Sequence, residues 1–302
     1  MRLVLIISTL LVTGLSNGPP NLQEKDAVDN SESFLQPADF ALAEKMPVTI
    51  PTNAQLDANL NAMLFEGDID GIPTGVQTSP VLRSRRGEPA LTDNNVIQRS
   101  SINLASFPNG LWPQGRVPYV MEPGMTTQQR TVIAQAVDEF NRLTCITIVP
   151  REARDMAFVF LRRSGAAGCS SFIGRTGGNQ TVNLAVGCYT KGIVVHELMH
   201  AIGFFHEQSR PDRDRFVRIA FENIRPETRH NFAMHNMRII DAQGMPYDYG
   251  SLMHYHRTAF SINGRDTIVP TNPNAPIGNR SGMSAIDAAK VNINLLYKCP
   301  RR

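Results

Sequence analysis

The sequence predicts an α+β fold, in which a mixed sheet carries two long helices and a loop-rich region ends in a final helix. Three observations favour this fold. Apolar residues recur at spacings of three and four from Thr126 to Leu143, as in an amphipathic helix. Short strand-like runs lie on both sides of it, and a second helix-like run follows at 191–202. The order strand, helix, strands, helix is typical of a mixed sheet with helices packed on it.

Residues 1–16 have the features of a secretory signal peptide. One charge, Arg2, precedes an apolar run to Val12 that is shorter than a membrane span requires. Gly14 and Ser16 fit the small-residue pattern before a signal peptidase site, so we expect cleavage after Ser16 and a secreted, extracellular protein. The alternative is a membrane anchor. No other long apolar stretch follows, and we therefore expect no membrane span.

Residues 17–99 are expected to form a propeptide, because the stretch is polar, contains many prolines and has little apolar periodicity. Residues 17–82 hold ten acidic and two basic side chains, a net charge of −8, whereas residues 83–302 hold 27 basic and 17 acidic ones, a net charge of +10. We expect the two parts to attract each other. The alternative is a solvated acidic tail. The overall charge of +3 is too small to indicate a nucleic-acid partner.

A basic cluster, Arg83-Ser84-Arg85-Arg86, fits the recognition pattern of secretory-pathway convertases and predicts cleavage by an activating protease. The alternative is a solvated group of like charges. Cleavage there would end the propeptide after residue 86.

The elements of this domain are predicted in chain order after Trp112. Residues 165–178 are rich in glycine and are expected to form a loop, and a final helix is expected after Ser284, with Asp287 completing a capping pattern. The predicted strands are Arg116–Met121, Cys145–Val149, Ala157–Leu161 and Thr181–Val186.

The run HExxHxxGxxH, which begins at His196, predicts a zinc site. On a helix, His196 and His200 lie one turn apart on the same face, so both imidazoles can bind one metal ion. Glu197 is placed to act as the general base on a water at the metal. Gly203 is expected to end the helix in a left-handed turn that brings His206 back as a third ligand.

Three histidine ligands leave the fourth position open, which is typical of a catalytic zinc site with one Zn²⁺ per subunit. The alternative is that these histidines are ordinary polar residues of a buried helix. Five fixed positions in eleven disfavour that interpretation. In addition, all seven histidines of the chain fall between His196 and His256.

Residues 196–214, HELMHAIGFFHEQSRPDRD, closely resemble the active-site region of the astacin family of metzincin zinc endopeptidases. Glu207 after the third histidine is characteristic of that family, and the resemblance implies that it holds the new amino terminus of the mature enzyme. Ser251-Leu252-Met253-His254-Tyr255 is similar to the family's Met-turn. This implies that Met253 is the hydrophobic base under the zinc, and that Tyr255 is an additional ligand that donates a hydrogen bond to the oxyanion during catalysis. His254 and His256 match no family ligand position and are expected beside the site or at the surface.

The resemblance extends from about Trp112 to Cys299 and implies a two-lobed, metzincin-like catalytic domain. Four cysteines in a secreted protein favour disulfides, with three possible connectivities. The resemblance implies the nested pairs Cys145 with Cys299 and Cys169 with Cys188. In this family the tryptophan corresponding to Trp112 lies about ten residues into the mature chain, which favours cleavage near Arg99. The propeptide is therefore expected to end between residues 86 and 99, in one or two processing steps, and residues 100–302 are expected to form the catalytic domain.

The segment Phe65-Glu66-Gly67-Asp68 is similar to the aspartate switch of astacin zymogens, which implies that Asp68 binds the zinc in the latent state. Without the resemblance, a Gly-Asp pair is only a common turn. Two glycosylation sequons begin at Asn179 and Asn279.

Together these features predict the secreted zymogen of a zinc endopeptidase that hydrolyses peptide bonds in extended protein or peptide substrates. Two alternatives stay open at this point. One is a secreted, non-catalytic binding module stabilised by zinc, and the other is an amidohydrolase that acts on a non-peptide substrate.

Overall fold

The structure, a computed structural model, describes residues 31–61, 63–71, 101–165, 168–236, 239–241, 244–292 and 297. The predicted signal peptide, the basic cluster at 83–86, the propeptide end and Cys299 lie outside these residues. The α-helices in the described part are Pro37–Ala43 (α1), Asn53–Asn59 (α2), Thr127–Leu143 (α3), Lys191–Ala201 (α4) and Ala285–Asn292 (α5). The strands are Ile69–Gly71 (β1), Ser101–Ile102 (β2), Arg116–Met121 (β3), Thr147–Pro150 (β4), Phe158–Arg163 (β5), Cys169–Phe172 (β6), Asn179–Leu184 (β7), Val217–Ile219 (β8), Ile240–Asp241 (β9) and Ile268–Pro270 (β10).

One mixed sheet has the strand order β1-β6-β7-β5-β3-β4. All of its neighbouring pairs are parallel except β6 with β7, which is antiparallel. Two antiparallel pairs, β8 with β10 and β2 with β9, lie outside this sheet. The predicted α+β fold with a mixed, mostly parallel sheet is confirmed.

Helix α3 confirms the prediction made from its apolar spacing. Thr126 and Gln129 form a capping box, in which each side chain accepts a hydrogen bond from the other residue's backbone N–H. Ile133, Val137 and Phe140 on its apolar face are buried in the main hydrophobic core, together with the sheet and α4. A second, smaller core forms around Phe232, Phe260 and their neighbours in the carboxyl-terminal lobe.

The sequence prediction was wrong in two regions. The stretch predicted as a glycine-rich loop contains β6, a strand of four residues that pairs with β7 on one side and β1 on the other. The segment expected to be a propeptide was predicted without regular elements, but it contains α1, α2 and β1. These elements are short, from three to seven residues, and give too few positions for a periodic pattern.

No helix in the described part of the chain is both long enough and apolar enough to cross a membrane.

Candidate metal centre

Helix α4 carries the first two histidines through the middle of the protein. Every residue from Gly192 to Ala201 is buried, so the helix is enclosed on all sides. At Gly203 the backbone has φ of +108°, and a Cβ atom there would lie 3.2 Å from two side-chain atoms of Ile102. Only glycine can adopt this φ and approach Ile102 so closely without strain. The turn at Gly203 reverses the chain and brings His206 back towards His196 and His200.

The three imidazoles point their Nε2 atoms at one another, and those of His196 and His206 are 3.2 Å apart. Each Nδ1 has an acceptor. His196 Nδ1 lies 3.1 Å from the Leu252 carbonyl, and His200 Nδ1 lies 2.6 Å from the Phe204 carbonyl. A carbonyl can only accept, so Nδ1 carries the proton and the Nε2 lone pair is left for a metal ion.

Asp68 completes the cluster from the segment before β1. Its carboxylate oxygens lie 3.1 Å from Nε2 of His196, 3.4 Å from that of His200 and 3.3 Å from that of His206. The four ligand atoms lie within 4.8 Å of one another and all four residues are buried. The Asp68 carboxylate therefore lies close to all three proposed zinc ligands, as expected.

The donor set fits a zinc ion. His200 Nε2 and Asp68 Oδ1 are buried, yet they have no hydrogen-bond partner among the described residues. Buried polar atoms rarely stay unpartnered, and a cation at the centre of the cluster would satisfy both. Three imidazole nitrogens and one carboxylate oxygen are ligands that zinc commonly takes with four-fold coordination.

A tight turn presents Asp68 to the histidines. Glu66 and Gly67 both have positive φ, +48° and +79°, and a Cβ on Gly67 would lie 2.8 Å from the Phe260 ring. The turn also aims the Glu66 carboxylate at His206 Nδ1, 2.7 Å away, and at His235 Nε2, 2.6 Å away. Burial opposes ionisation of Glu66, but these two imidazoles more than offset it and hold its pKa well below the usual range.

Glu66 and His235 were not assigned from the sequence as parts of the site. Only the concentration of histidines between 196 and 256 pointed to His235, and Glu66 was seen merely as a neighbour of Asp68.

Glu197 lies beside the histidines on a small cavity of about 30 Å³, which is also lined by Asp68, His196 and Tyr255. Its Oε2 atom is buried without a hydrogen-bond partner in the described part of the chain. Burial, together with the nearby Asp68 charge, raises the pKa of Glu197 well above its usual range. Such a carboxyl group is suited to accepting and returning a proton.

Tyr255 and Met253 flank the cluster. The Tyr255 hydroxyl donates a hydrogen bond to the Glu66 backbone carbonyl, and its ring centroid lies 4.6 Å from that of His206. Met253 is buried, and its carbonyl accepts a hydrogen bond from the Glu207 N–H at 3.0 Å. Tyr255 therefore lies within reach of the centre while its phenol bonds to the turn that carries Asp68.

Glu207 is buried behind the third histidine. Its carboxylate accepts hydrogen bonds from Lys290 Nζ at 2.6 Å and Arg210 at 3.0 Å. Burial raises the pKa of Glu207, but the two cations more than offset this and lower it to about 2. The role of Glu207 towards a new amino terminus stays a prediction.

His254 and His256 are not part of the four-residue cluster, but both are buried beside it. His254 Nε2 lies 2.7 Å from the Tyr247 hydroxyl, and burial lowers the pKa of His254 to about 4. His256 Nε2 lies 3.2 Å from a carboxylate oxygen of Asp57 on α2.

The remaining predicted positions lie around the site. Cys169 and Cys188 form a disulfide. The predicted pair of Cys145 with Cys299 cannot be compared, because Cys299 lies outside the described residues. Asn179 is exposed at the start of β7, whereas the Asn279 amide donates hydrogen bonds to the carbonyls of Gly250 and Gly282.

Comparison with known proteins gives the family. Residues 105–298 match the family model described as Astacin, a peptidase family. The chain belongs to the astacin family. It is 49% identical over 275 residues to zinc metalloproteinase nas-14 of Caenorhabditis elegans, a match that covers 90% of this chain and 54% of the relative. It is 40% identical over 243 residues to zinc metalloproteinase nas-13 of the same organism, covering 80% of this chain and 52% of the relative.

A solved structure has the same fold. High choriolytic enzyme 1, a hatching enzyme zinc-protease from Oryzias latipes, is 40% identical and superposes with a TM-score of 0.61. The match covers 66% of this chain and 100% of that structure. The chain spans about half the length of the two curated worm astacins that it matches.

Proposed function

We propose that this chain is the secreted zymogen of a zinc endopeptidase. The observation that carries the proposal is the convergence of three histidine Nε2 atoms, each with its Nδ1 held by an acceptor, beside an unpartnered carboxylate oxygen of Glu197. His196, His200 and His206 would hold the zinc. When bound, zinc polarises the scissile carbonyl and lowers the pKa of a water molecule to roughly 7.

Glu197 takes the proton from the attacking water and passes it to the leaving amine. Its position on the cavity beside the histidines, with Oε2 unpartnered in the described part of the chain, supports this role. Tyr255, once free of the Glu66 carbonyl, donates its hydrogen bond to the oxyanion that develops on the substrate.

The substrate is an extended peptide that pairs with one edge of β6 once the propeptide has left. In the structure β1 occupies this edge, where Ser171 N–H donates to the Asp68 carbonyl at 2.9 Å and Ile173 N–H donates to the Gly71 carbonyl at 2.8 Å. A substrate main chain would use the same donors after the propeptide has left. In the structure β1 covers this edge of β6, and Asp68 covers the histidine cluster. Both observations support a latent precursor.

Secretion follows from the signal peptide proposed at residues 1–16, and activation begins with cleavage by another protease after Arg86 or near Arg99. Protein or peptide substrates and this activating protease are the proposed partners.

The test compares cleavage of casein or gelatin by the processed, zinc-loaded protein and by Glu197→Gln. We expect Glu197→Gln to bind zinc with unchanged stoichiometry and to lose almost all cleavage, because the carboxamide cannot accept the proton. Glu222→Gln is the matched control, since Glu222 is exposed and contacts only Arg218 among the side chains described.

A zinc chelator should abolish cleavage by the wild type and by the control. Full activity of Glu197→Gln would refute the proposed mechanism. Absence of cleavage by zinc-loaded wild type that has been processed and then separated from its propeptide would instead favour the non-catalytic binding module.

A further inference from the structure

Part of the proposed propeptide binds the catalytic domain at a surface separate from the metal centre. Residues 32–46, which we call the anchor, contact β3 and α3. Leu35 N–H donates to the Tyr119 hydroxyl at 2.9 Å, and the Phe34 ring packs edge-on against Tyr119 with centroids 6.2 Å apart. The Leu35 side chain is buried in the main core. The hydrogen bond and the ring contact are both made to Tyr119 on β3, and not to a zinc ligand.

Arg130 on α3 is the centre of the anchor surface. Its guanidinium donates to both carboxylate oxygens of Asp39, with the closest contact at 2.7 Å, and to the backbone carbonyls of Glu32 and Phe34. The two side chains of the ion pair are only 13% and 8% exposed. A buried, bidentate arginine–carboxylate pair is among the stronger and most geometrically specific polar contacts in proteins.

The same contacts order helix α1. Asp39 accepts a hydrogen bond from the Gln36 N–H at 2.7 Å, so one carboxylate both caps the start of α1 and binds Arg130. At the other end, the Gln135 amide donates to the carbonyls of Ala43 and Met46 at 3.1 Å and 2.8 Å. Helix α3 thus satisfies polar groups at both ends of α1, and the surface fits a short helix with an acidic start.

The propeptide is bound a second time at the metal centre and along β6, a region that we call the cleft. There Asp68 lies among the three histidines, β1 pairs with β6, and the Asn59 amide on α2 donates to the Gly187 carbonyl at 3.1 Å. Both binding regions lie on the amino-terminal side of residue 83, where the proposed cleavage sites begin. Cutting between residues 83 and 99 therefore leaves both sets of contacts on one fragment.

We infer that the cleaved propeptide stays bound to the catalytic domain as a separate chain, and that the anchor surface around Arg130 holds it there. This inference rests on the proposed zymogen. When the cleft contacts open, the anchor keeps the fragment at high local concentration, so β1 and Asp68 rebind before a substrate can enter. Cleavage alone does not start activity, and release of the anchor is a second, separate step.

The test uses the full chain with a recognition sequence for a site-specific protease in place of residues 83–86. The Glu197→Gln background prevents self-digestion of the fragment. After complete cleavage, size-exclusion chromatography under native conditions should show the fragment eluting with the catalytic domain. Fluorescent labelling of the fragment then gives its dissociation constant and dissociation rate.

Asp39→Asn should raise that dissociation constant by about 30-fold or more, because the buried ion pair between Asp39 and Arg130 is lost. Asp39 belongs to the fragment, so this change leaves the folding of the catalytic domain intact. Arg130→Met tests the other side of the pair. Arg218→Met on β8 is the control, since Arg218 is 63% exposed and its partner Glu222 is 65% exposed. The control should leave the dissociation constant unchanged.

An activity measurement in the chain that retains Glu197 completes the design. Freshly cleaved protein should stay latent until the fragment is removed, and cleaved Asp39→Asn should become active at least ten times sooner. Separation of the wild-type fragment during chromatography, or equal dissociation rates for wild type and Asp39→Asn, would overturn the inference. Full activity with the fragment still bound would also overturn it. A retained fragment in a chain that never cleaves protein would support the anchor and refute the proposed function.

Discussion

Gly203→Ala tests whether the chain reversal after α4 assembles the metal centre. The backbone at Gly203 has φ of +108°, where any residue with a Cβ is strained by about 1–3 kcal/mol. The added methyl would also lie 3.2 Å from two atoms of Ile102, which is completely buried and cannot turn towards solvent. Overpacking of this kind costs about 1–3 kcal/mol more. We expect the free energy of unfolding to fall by about 2–6 kcal/mol, the sum of these two contributions.

Gly177→Ala separates the two contributions. Gly177 has a similar φ of +95°, but nothing lies within 4 Å of a Cβ built there. Its substitution should therefore cost only the backbone strain, about 1–3 kcal/mol. Urea denaturation of both variants at the same zinc concentration gives the two losses in stability.

Zinc affinity provides the second measurement. Competition with a chromogenic chelator should show weaker binding for Gly203→Ala, because the shift displaces His206 from the other two ligands. Gly177→Ala should bind zinc like the wild type. Equal losses of stability and equal zinc affinities in the two variants would refute the argument that the tight turn positions the third ligand.

Three further predictions concern the propeptide, the disulfide and the sequons. Asp68→Ala should make unprocessed protein cleave casein faster than unprocessed wild type, since Asp68 no longer closes the cluster, although β1 still occupies the edge of β6; equal latency of the two unprocessed proteins would contradict this. Replacing Cys169 and Cys188 together by alanine should lower the free energy of unfolding by about 3 kcal/mol for a loop of 19 residues, measured by chemical denaturation. In a eukaryotic secretion host, Asn179→Gln should reduce the mass by one glycan, whereas Asn279→Gln should not, because the Asn279 amide is already bonded to two carbonyls.

The features that the sequence predicted best are those encoded by local spacing. The positions of His196, His200 and His206 follow from one helical turn and one glycine, so their convergence could be inferred without any tertiary contact. Helix α3 was likewise predicted within one residue of its start, because seventeen residues show the apolar period clearly.

The features that were missed depend on residues far apart in the chain. Glu66 and His235 are separated by 169 positions, and no local pattern links them. Strand β6 has four residues and exists because β7 and β1 supply its hydrogen bonds. Arg130 was also missed. In the sequence it is one polar residue of an amphipathic helix, but in the structure it binds the carboxylate of Asp39, 91 positions away.

The order of the proposed propeptide is explained by its contacts with the rest of the chain, and for this reason its helices left no clear trace in the sequence. Helices of seven residues, such as α1 and α2, are too short to be stable alone in water. The described part of the propeptide buries few large apolar side chains, chiefly Leu35, Leu56 and Ile69, and all three pack into the core of the catalytic domain. Asp39 acts in the same way, since its ion pair is made with Arg130 on that domain. The net charge of −8 therefore favours association with a basic domain, and the released propeptide should lose its helices.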